Sequence, residues 1–385
     1  MMRYLGFTLL IVSIIPESGC IEPYTPPEIV NDNQYLVVEG YLDAATGSST
    51  IELSQTIPLS GGDVAESVTN AVVVIEDELN HRYFFTEPVE GVYIIENIPV
   101  DPDRLYRLKV TKENDEYVSD YVKVTMTPAI DSVFWRLEGD KIKIYVNTHN
   151  DEEGTRYYFW KYIETWEYNS AFRSYYKYED GLFKFRDSPD EIYYCWKTNP
   201  SANINLATTA ALEKDVVKDY LLREYNLSSK EFQRKYSIQV IQHSLTKEAY
   251  EFWSQVRENT QGMGTLFDIQ PSRVTGNISN ENGKPAIGYF SVGTVQEARI
   301  YIRDNELPVR EIETDYKFCG IDSLLIADFP SFEGKEIVVD RLVEYIEQGP
   351  RVPPLEIFLG YTISSRFCAD CRAQGGTNER PVFWD

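Results

Sequence analysis

The chain has 385 residues, with 43 % hydrophobic residues, 14 % aromatics and a net charge of −24. That apolar content excludes a disordered chain, and the length suits two domains better than one small core. So acidic a surface repels phosphate backbones and anionic headgroups, which argues against a nucleic-acid or lipid-surface reader.

Residues 1–19 read as a signal peptide. Arg3 supplies a positive start, and Tyr4 to Ile15 is an apolar run of twelve residues. That run is too short to span a bilayer and suits a signal-peptide core. Ser18-Gly19-Cys20 then ends it with small residues and a cysteine. This is the pattern of a bacterial lipoprotein signal, with cleavage before Cys20 and lipid placed on its thiol and amine. Glu17 departs from the apolar residue usual at its position. Arg3 and Glu17 cancel, so the mature chain keeps its charge. Residues 20–33 are rich in proline and polar groups and read as a lipidated tether, reaching at most about 45 Å. No later stretch is apolar for long enough to span a membrane, so attachment is expected through Cys20 alone.

From Tyr35 the pattern changes to short β-type runs: Leu36–Leu42, Ser49–Leu53, Ala71–Ile75, Arg82–Thr86, Val92–Ile95, Tyr106–Thr111 and Tyr117–Thr125. Gly, Asn, Asp and Pro punctuate them. Residues 34–127 are therefore predicted to form an immunoglobulin-like or transthyretin-like β-sandwich. Thr127-Pro128 marks a boundary, and residues 128–385 are expected to form a larger β-rich domain with helical insertions. Lys141–Asn147 alternates. Tyr157–Tyr168 is a long aromatic strand, with Tyr158, Trp160, Tyr162, Trp166 and Tyr168 on one face by period two. Glu179-Asp180-Gly181 reads as a hairpin turn. Residues 209–222 have helical spacing through Leu212, Val216 and Tyr220. Tyr236–His243 is a strand. Thr246 then caps a helix over 246–259, with Ala249, Phe252, Trp253 and Val256 on one face and Gly262 as its stop. Strands return at Ala286–Val292, Glu297–Ile302 and Glu336–Val343.

Setting Cys20 aside for lipid leaves Cys195, Cys319, Cys368 and Cys371, an even number in an exported chain. Two structural disulfides are expected, the tail cysteines each reaching back, one to Cys195 and one to Cys319. A local Cys368–Cys371 bridge would close a very small loop and constrain the unfolded chain little. Zinc or redox use of Cys368-Ala-Asp-Cys371 is disfavoured, because the motif opens no βαβ unit and turn formers follow it.

Catalytic patterns are scarce. His81, His149 and His243 are the only histidines, and none forms a metal-binding pair at helical spacing; His243, at the end of a predicted strand, reads as structural or surface. No nucleophile elbow or phosphate loop is present. Asp151-Glu152-Glu153 lacks calcium-loop spacing and reads as a solvated loop. No cofactor, metal or catalytic residue is predicted. The aromatic strand reads as sandwich core. Phe172, Tyr175, Tyr176 and Tyr178 interleave with charges and are the candidate exposed binding aromatics.

Several segments together carry a family resemblance. They are Cys20-Ile-Glu-Pro-Tyr, Val37–Leu42, Lys235–Ile238 with Gln242, Leu245-Thr246-x-Glu248-Ala249-Tyr250-x-Phe252-Trp253, Gly264–Asp268, Pro271-Ser272, Val274-x-Gly276-Asn277-Ile278, Gly288-Tyr289-Phe290, and a tail from Cys368 to Trp384. The chain resembles, over nearly its whole mature length, the Bacteroidota outer-membrane lipoproteins catalogued as domain of unknown function 4249. The resemblance implies a lipid-anchored outer-membrane protein, on the periplasmic or the outer face, that serves a TonB-dependent receptor as accessory partner. It supplies no catalytic residues. A subunit of outer-membrane assembly or secretion machinery is one alternative, and an extracytoplasmic hydrolase another.

Overall fold

The computed structural model describes residues 35–56, 65–152, 154, 156–179, 182–188, 190–261, 274, 276–280, 286–325, 351–352, 356–357 and 360–384. The signal segment, Cys20, the tether and the predicted strand Glu336–Val343 lie outside the described residues, as do Gly262 and the turn residues Asp180 and Gly181.

The molecule is mainly β, as its alternating runs predict. The first strands are β1 (Leu36–Asp43), β2 (Ser48–Gln55), β3 (Val72–Asp77), β4 (Arg82–Phe84), β5 (Thr86–Val89), β6 (Val92–Ile95), β7 (Leu105–Lys112), β8 (Asp115–Ser119) and β9 (Val122–Thr125). Then come β10 (Ile130–Glu138), β11 (Lys141–Asn150), β12 (Tyr157–Asn169), β13 (Tyr176–Glu179), β14 (Leu182–Phe185), β15 (Tyr194–Pro200), β16 (Asn205–Thr208), β17 (Asp215–Asn226), β18 (Lys235–Ser244) and the helix α1 (Lys247–Gln261). The chain continues through β19 (Ile278–Asn280), β20 (Ala286–Gly288), β21 (Ser291–Gly293) and β22 (Val295–Arg303). Short strands β23 (Asp322–Leu325), β24 (Arg351–Val352), β25 (Glu356–Ile357) and β26 (Gly360–Ser365), with the helical turn α2 (Arg366–Ala369), make the tail.

Strands β1 to β9 do not close a sheet by themselves. Their hydrogen-bonded path runs β19-β8-β7-β9-β21-β1-β2-β6-β5, with β20 on β1 and the β3–β4 pair on β7. Two late strands therefore return to the first module. β20 and β21 pair in parallel with β1, Leu36 opposite Ala286 and Leu42 opposite Val292. β21 also pairs with β9 and so joins the two halves of the sheet. The sheet folds over one core that holds Val38 and Leu42 of β1, Ile51 and Leu53 of β2, Val73 and Ile75 of β3 and Leu108 and Val110 of β7. Alternation sends these residues inward and Glu39, Tyr41 and Asp43 to the opposite face of β1. The first module's sheet draws strands from both sides of the boundary predicted at residue 127.

The second module is a sandwich. A sheet of order β15-β12-β18-β22, with β16 on β12, faces the three-stranded sheet β10-β11-β17. Their shared core takes Ile142, Ile144 and Val146 from β11, Ile238 and Val240 from β18, and the whole predicted aromatic face of β12. Burying each such ring or branched side chain stabilises the fold by about 1.5–3 kcal/mol. Trp160 Nε1 also donates to Gln242 Oε1 at 2.8 Å, so its one polar atom is satisfied inside the core. The other face of β12 is covered in part by α1, which packs Ala249 on Phe159, Leu206 and Leu245. The backbone N–H of Ala249 donates to Thr246 Oγ1 at 3.2 Å, the expected N-terminal cap.

The helical reading of residues 209–222 is corrected. Asp215–Asn226 is a strand paired antiparallel with β11, and Leu212 is exposed. Val216 is exposed and Val217 buried, an alternation of period two. A spacing of four is even, so residues that share a helix face can also share a strand face, and Leu212, Val216 and Tyr220 fit either pattern.

Candidate functional site

The outward faces of the two modules meet across a cleft of about 600 Å³. From the first module, β1 presents Glu39, Tyr41 and Asp43, β2 presents Thr50 and Glu52, and Glu96 follows β6. Opposite them, β12 presents Phe159 and Lys161, β18 presents Ile241 and His243, and β22 presents Val295 and Glu297. Trp253 of α1 and Tyr289 complete the aromatic lining. Period two puts these side chains on the faces turned away from both cores, so one alternation builds the cores and the cleft together.

The seam beside the cleft is tied by hydrogen bonds. Thr125 Oγ1 donates to the carbonyls of Ser244 at 3.0 Å and Val292 at 3.1 Å. The backbone N–H of Ser244 donates to Thr127 Oγ1 at 3.0 Å, and the Thr127 N–H donates to Thr294 Oγ1 at 2.8 Å. Across the opening, Lys161 Nζ meets Glu39 Oε1 at 2.9 Å. Both side chains are well exposed, so this pair adds little stability and chiefly orients two side chains.

Among the described residues the lining holds five carboxylates (Glu39, Asp43, Glu52, Glu96 and Glu297) against the one ammonium of Lys161. Beneath them lies an aromatic floor. Phe159 stacks on Trp253 at 5.1 Å between ring centres, and Tyr41 sets its ring edge-on to His243 at 4.5 Å. Burial, and then the nearby Lys161 charge, push the His243 imidazole down to about 3, so it is neutral at any physiological pH. Its Nδ1 is shut away from solvent with no hydrogen-bond partner among the described residues. A buried polar atom left unpaired costs about 1–3 kcal/mol, a deficit a ligand's polar group can relieve. Burial likewise raises the Tyr41 hydroxyl far above its usual range, so it stays protonated and donates to the Thr294 carbonyl at 3.3 Å.

The candidate aromatics do not come together as one exposed surface. Tyr175 is exposed, but Tyr176 is buried, stacking 4.3 Å from Phe185 across the β13–β14 hairpin. Alternation along the strand separates the two, which corrects the expectation of shared exposure. Phe172 is half-buried and donates its backbone N–H to the Cys368 carbonyl at 2.9 Å. The side chain of Tyr178 lies outside the described set.

The cysteines pair as Cys195–Cys371 and Cys319–Cys368, each tail cysteine reaching back as expected. Engaged in disulfides, none of the four is a thiolate metal ligand. Among the described residues no group of three or more His, Cys, Asp or Glu side chains is arranged to hold a metal ion. His81 Nδ1 lies 2.8 Å from the buried carboxylate of Asp77, and His149 Nδ1 2.7 Å from the carboxylate of Asp131 at the surface. Only His243 belongs to the cleft, and no local motif singles it out. Its partners come from strands more than a hundred residues apart in the chain.

Fold and site together define a two-module β protein with a cleft at the seam of its modules. The chain belongs to the family described as domain of unknown function 4249, whose model matches residues 21–299. That span contains every described residue lining the cleft and stops short of the cysteine tail, so the match is narrower than the resemblance over nearly the whole mature chain. No curated protein matches the chain.

Proposed function

We propose that this chain is a non-enzymatic, lipid-anchored outer-membrane protein that partners a TonB-dependent receptor in nutrient uptake. The cleft is the observation that carries the reading. It is large enough for a small ligand, it needs both modules to exist, and its lining mixes an aromatic floor with a charged rim, as binding sites commonly do. The tether after Cys20 supports the anchor, since it leaves the module that forms one cleft wall within about 45 Å of the membrane surface.

The test is recovery of the protein from gently solubilised outer membranes, with identification of what accompanies it. One TonB-dependent receptor in near-equal amount is the expected result. A larger assembly complex would overturn this in favour of envelope machinery, and recovery alone would overturn both. Cys20→Ala is expected to move the protein to the soluble fraction, and membrane retention equal to wild type would reject the anchor.

A further inference from the structure

We propose that the cleft is a binding site for a small organic cation, an ammonium or guanidinium group carried on an apolar body. The inference stands on the cleft alone and holds whether or not a receptor accompanies the protein.

Charge sets the sign of the ligand. Of the rim carboxylates, Glu39 is engaged by Lys161, Glu297 accepts a hydrogen bond from Gln239 at 2.6 Å, and Asp43 accepts from its own turn. Glu52 and Glu96 have no hydrogen-bond or ion-pair partner among the described residues and are exposed at the mouth. An anion entering here meets repulsion from every side except that of Lys161, which is already paired. A cation finds two free carboxylates and several ring faces, and such faces attract cations by their quadrupoles.

The inner wall sets the rest. His243 is 8 % exposed, lies on the cleft face of β18 and holds a buried polar atom that pairs with nothing among the described residues. This side chain makes the wall more than a patch of surface acids. A neutral imidazole offers one acceptor and one donor nitrogen. An N–H-bearing ligand therefore suits the inner wall as well as the rim. The volume of about 600 Å³ falls in the range of small-molecule sites and excludes a folded partner as the occupant.

Tryptamine serves as the probe and indole-3-propionate as its control, since the two share a ring and a chain length and differ in charge. Titration calorimetry on the full chain, purified in non-ionic detergent at low salt, should give saturable tryptamine binding and none for the propionate. The Glu52→Gln/Glu96→Gln double variant should weaken tryptamine at least tenfold. Glu116→Gln, an exposed acid on β8, should leave it unchanged. Equal binding of the two indoles, no saturable binding of tryptamine, or an equal loss in the Glu116 variant would each overturn the assignment.

Discussion

Glu76 is fully buried in β3 and surrounded by cations. Arg82 Nε reaches it at 2.7 Å, Lys109 Nζ at 3.1 Å and Arg107 Nε at 2.9 Å. Burial alone would raise its carboxyl. The hydrogen bonds from Arg107, Arg82 and Lys109 outweigh that and hold it at about 2. Its neighbour Asp77 is likewise held at about 2, burial being outweighed by His81 and Arg104. A depressed folded-state value means that these groups stabilise the protein above the ordinary carboxylate range. That stability is lost as pH falls from about 4 towards 2. Glu76→Gln is therefore expected to lower stability at pH 7 by about 1–3 kcal/mol. It should also flatten the acid limb of the profile. Denaturant midpoints at pH 7 and pH 3 measure both, and an unchanged difference between the two pH values would reject the role. The sequence shows Glu76-Asp77 only as two more acids in an acidic chain. Their burial depends on Arg104, Arg107 and Lys109, which β7 brings alongside β3 in a pairing that no local pattern reveals.

The connection from residue 276 to β21 behaves as one element, though its strands are short. Asn277 clasps Phe290 in both directions: its Nδ2 donates to the Phe290 carbonyl and its Oδ1 accepts from the Phe290 N–H, each at 2.9 Å. Gly276 lies so close to this loop that a Cβ there would sit 1.6 Å from the Gly288 carbonyl oxygen. Backbone on backbone cannot yield cheaply, so Gly276→Ala is expected to cost about 1–3 kcal/mol or more. A thermal melt reads this, and an unshifted melting temperature would refute the close approach. Most elements were legible from the sequence because alternation and capping are local: β1, β6, β11, β12, β18 and α1 fall where predicted. The strand at 215–226 was not, because a spacing of four fits a strand face as well as a helix face. The cleft was not legible. Trp253 shows in its helix's periodicity only as an apolar face, and only the tertiary fold sets Phe159 and His243 opposite Glu39, Tyr41 and Asp43.

At the scale of the molecule, the first module is finished by strands made much later. A chain ending at residue 127 lacks β20 and β21, the parallel partners of β1, and β19, the partner of β8. It would leave long strand edges unpaired and part of its core uncovered. Residues 34–127 alone are therefore expected to show no cooperative unfolding transition by circular dichroism in denaturant, whereas the full chain does. A sharp transition in the fragment would mean that the returning strands are dispensable. The same topology explains why the cleft cannot be assigned to either module and why a cut at the predicted boundary would destroy it.

The nesting of the two disulfides bears on how the protein matures. Its cysteines leave the ribosome in the order 195, 319, 368, 371, and an oxidant that joins each thiol to the next to appear would make Cys195–Cys319 and Cys368–Cys371. Neither is native, since the true pairs are nested along the chain, Cys319–Cys368 lying inside Cys195–Cys371. Correct pairing must therefore wait until the tail has docked, or else pass through thiol–disulfide exchange that undoes the first products. A cell making this protein needs a disulfide isomerase, or oxidation slow enough for folding to come first.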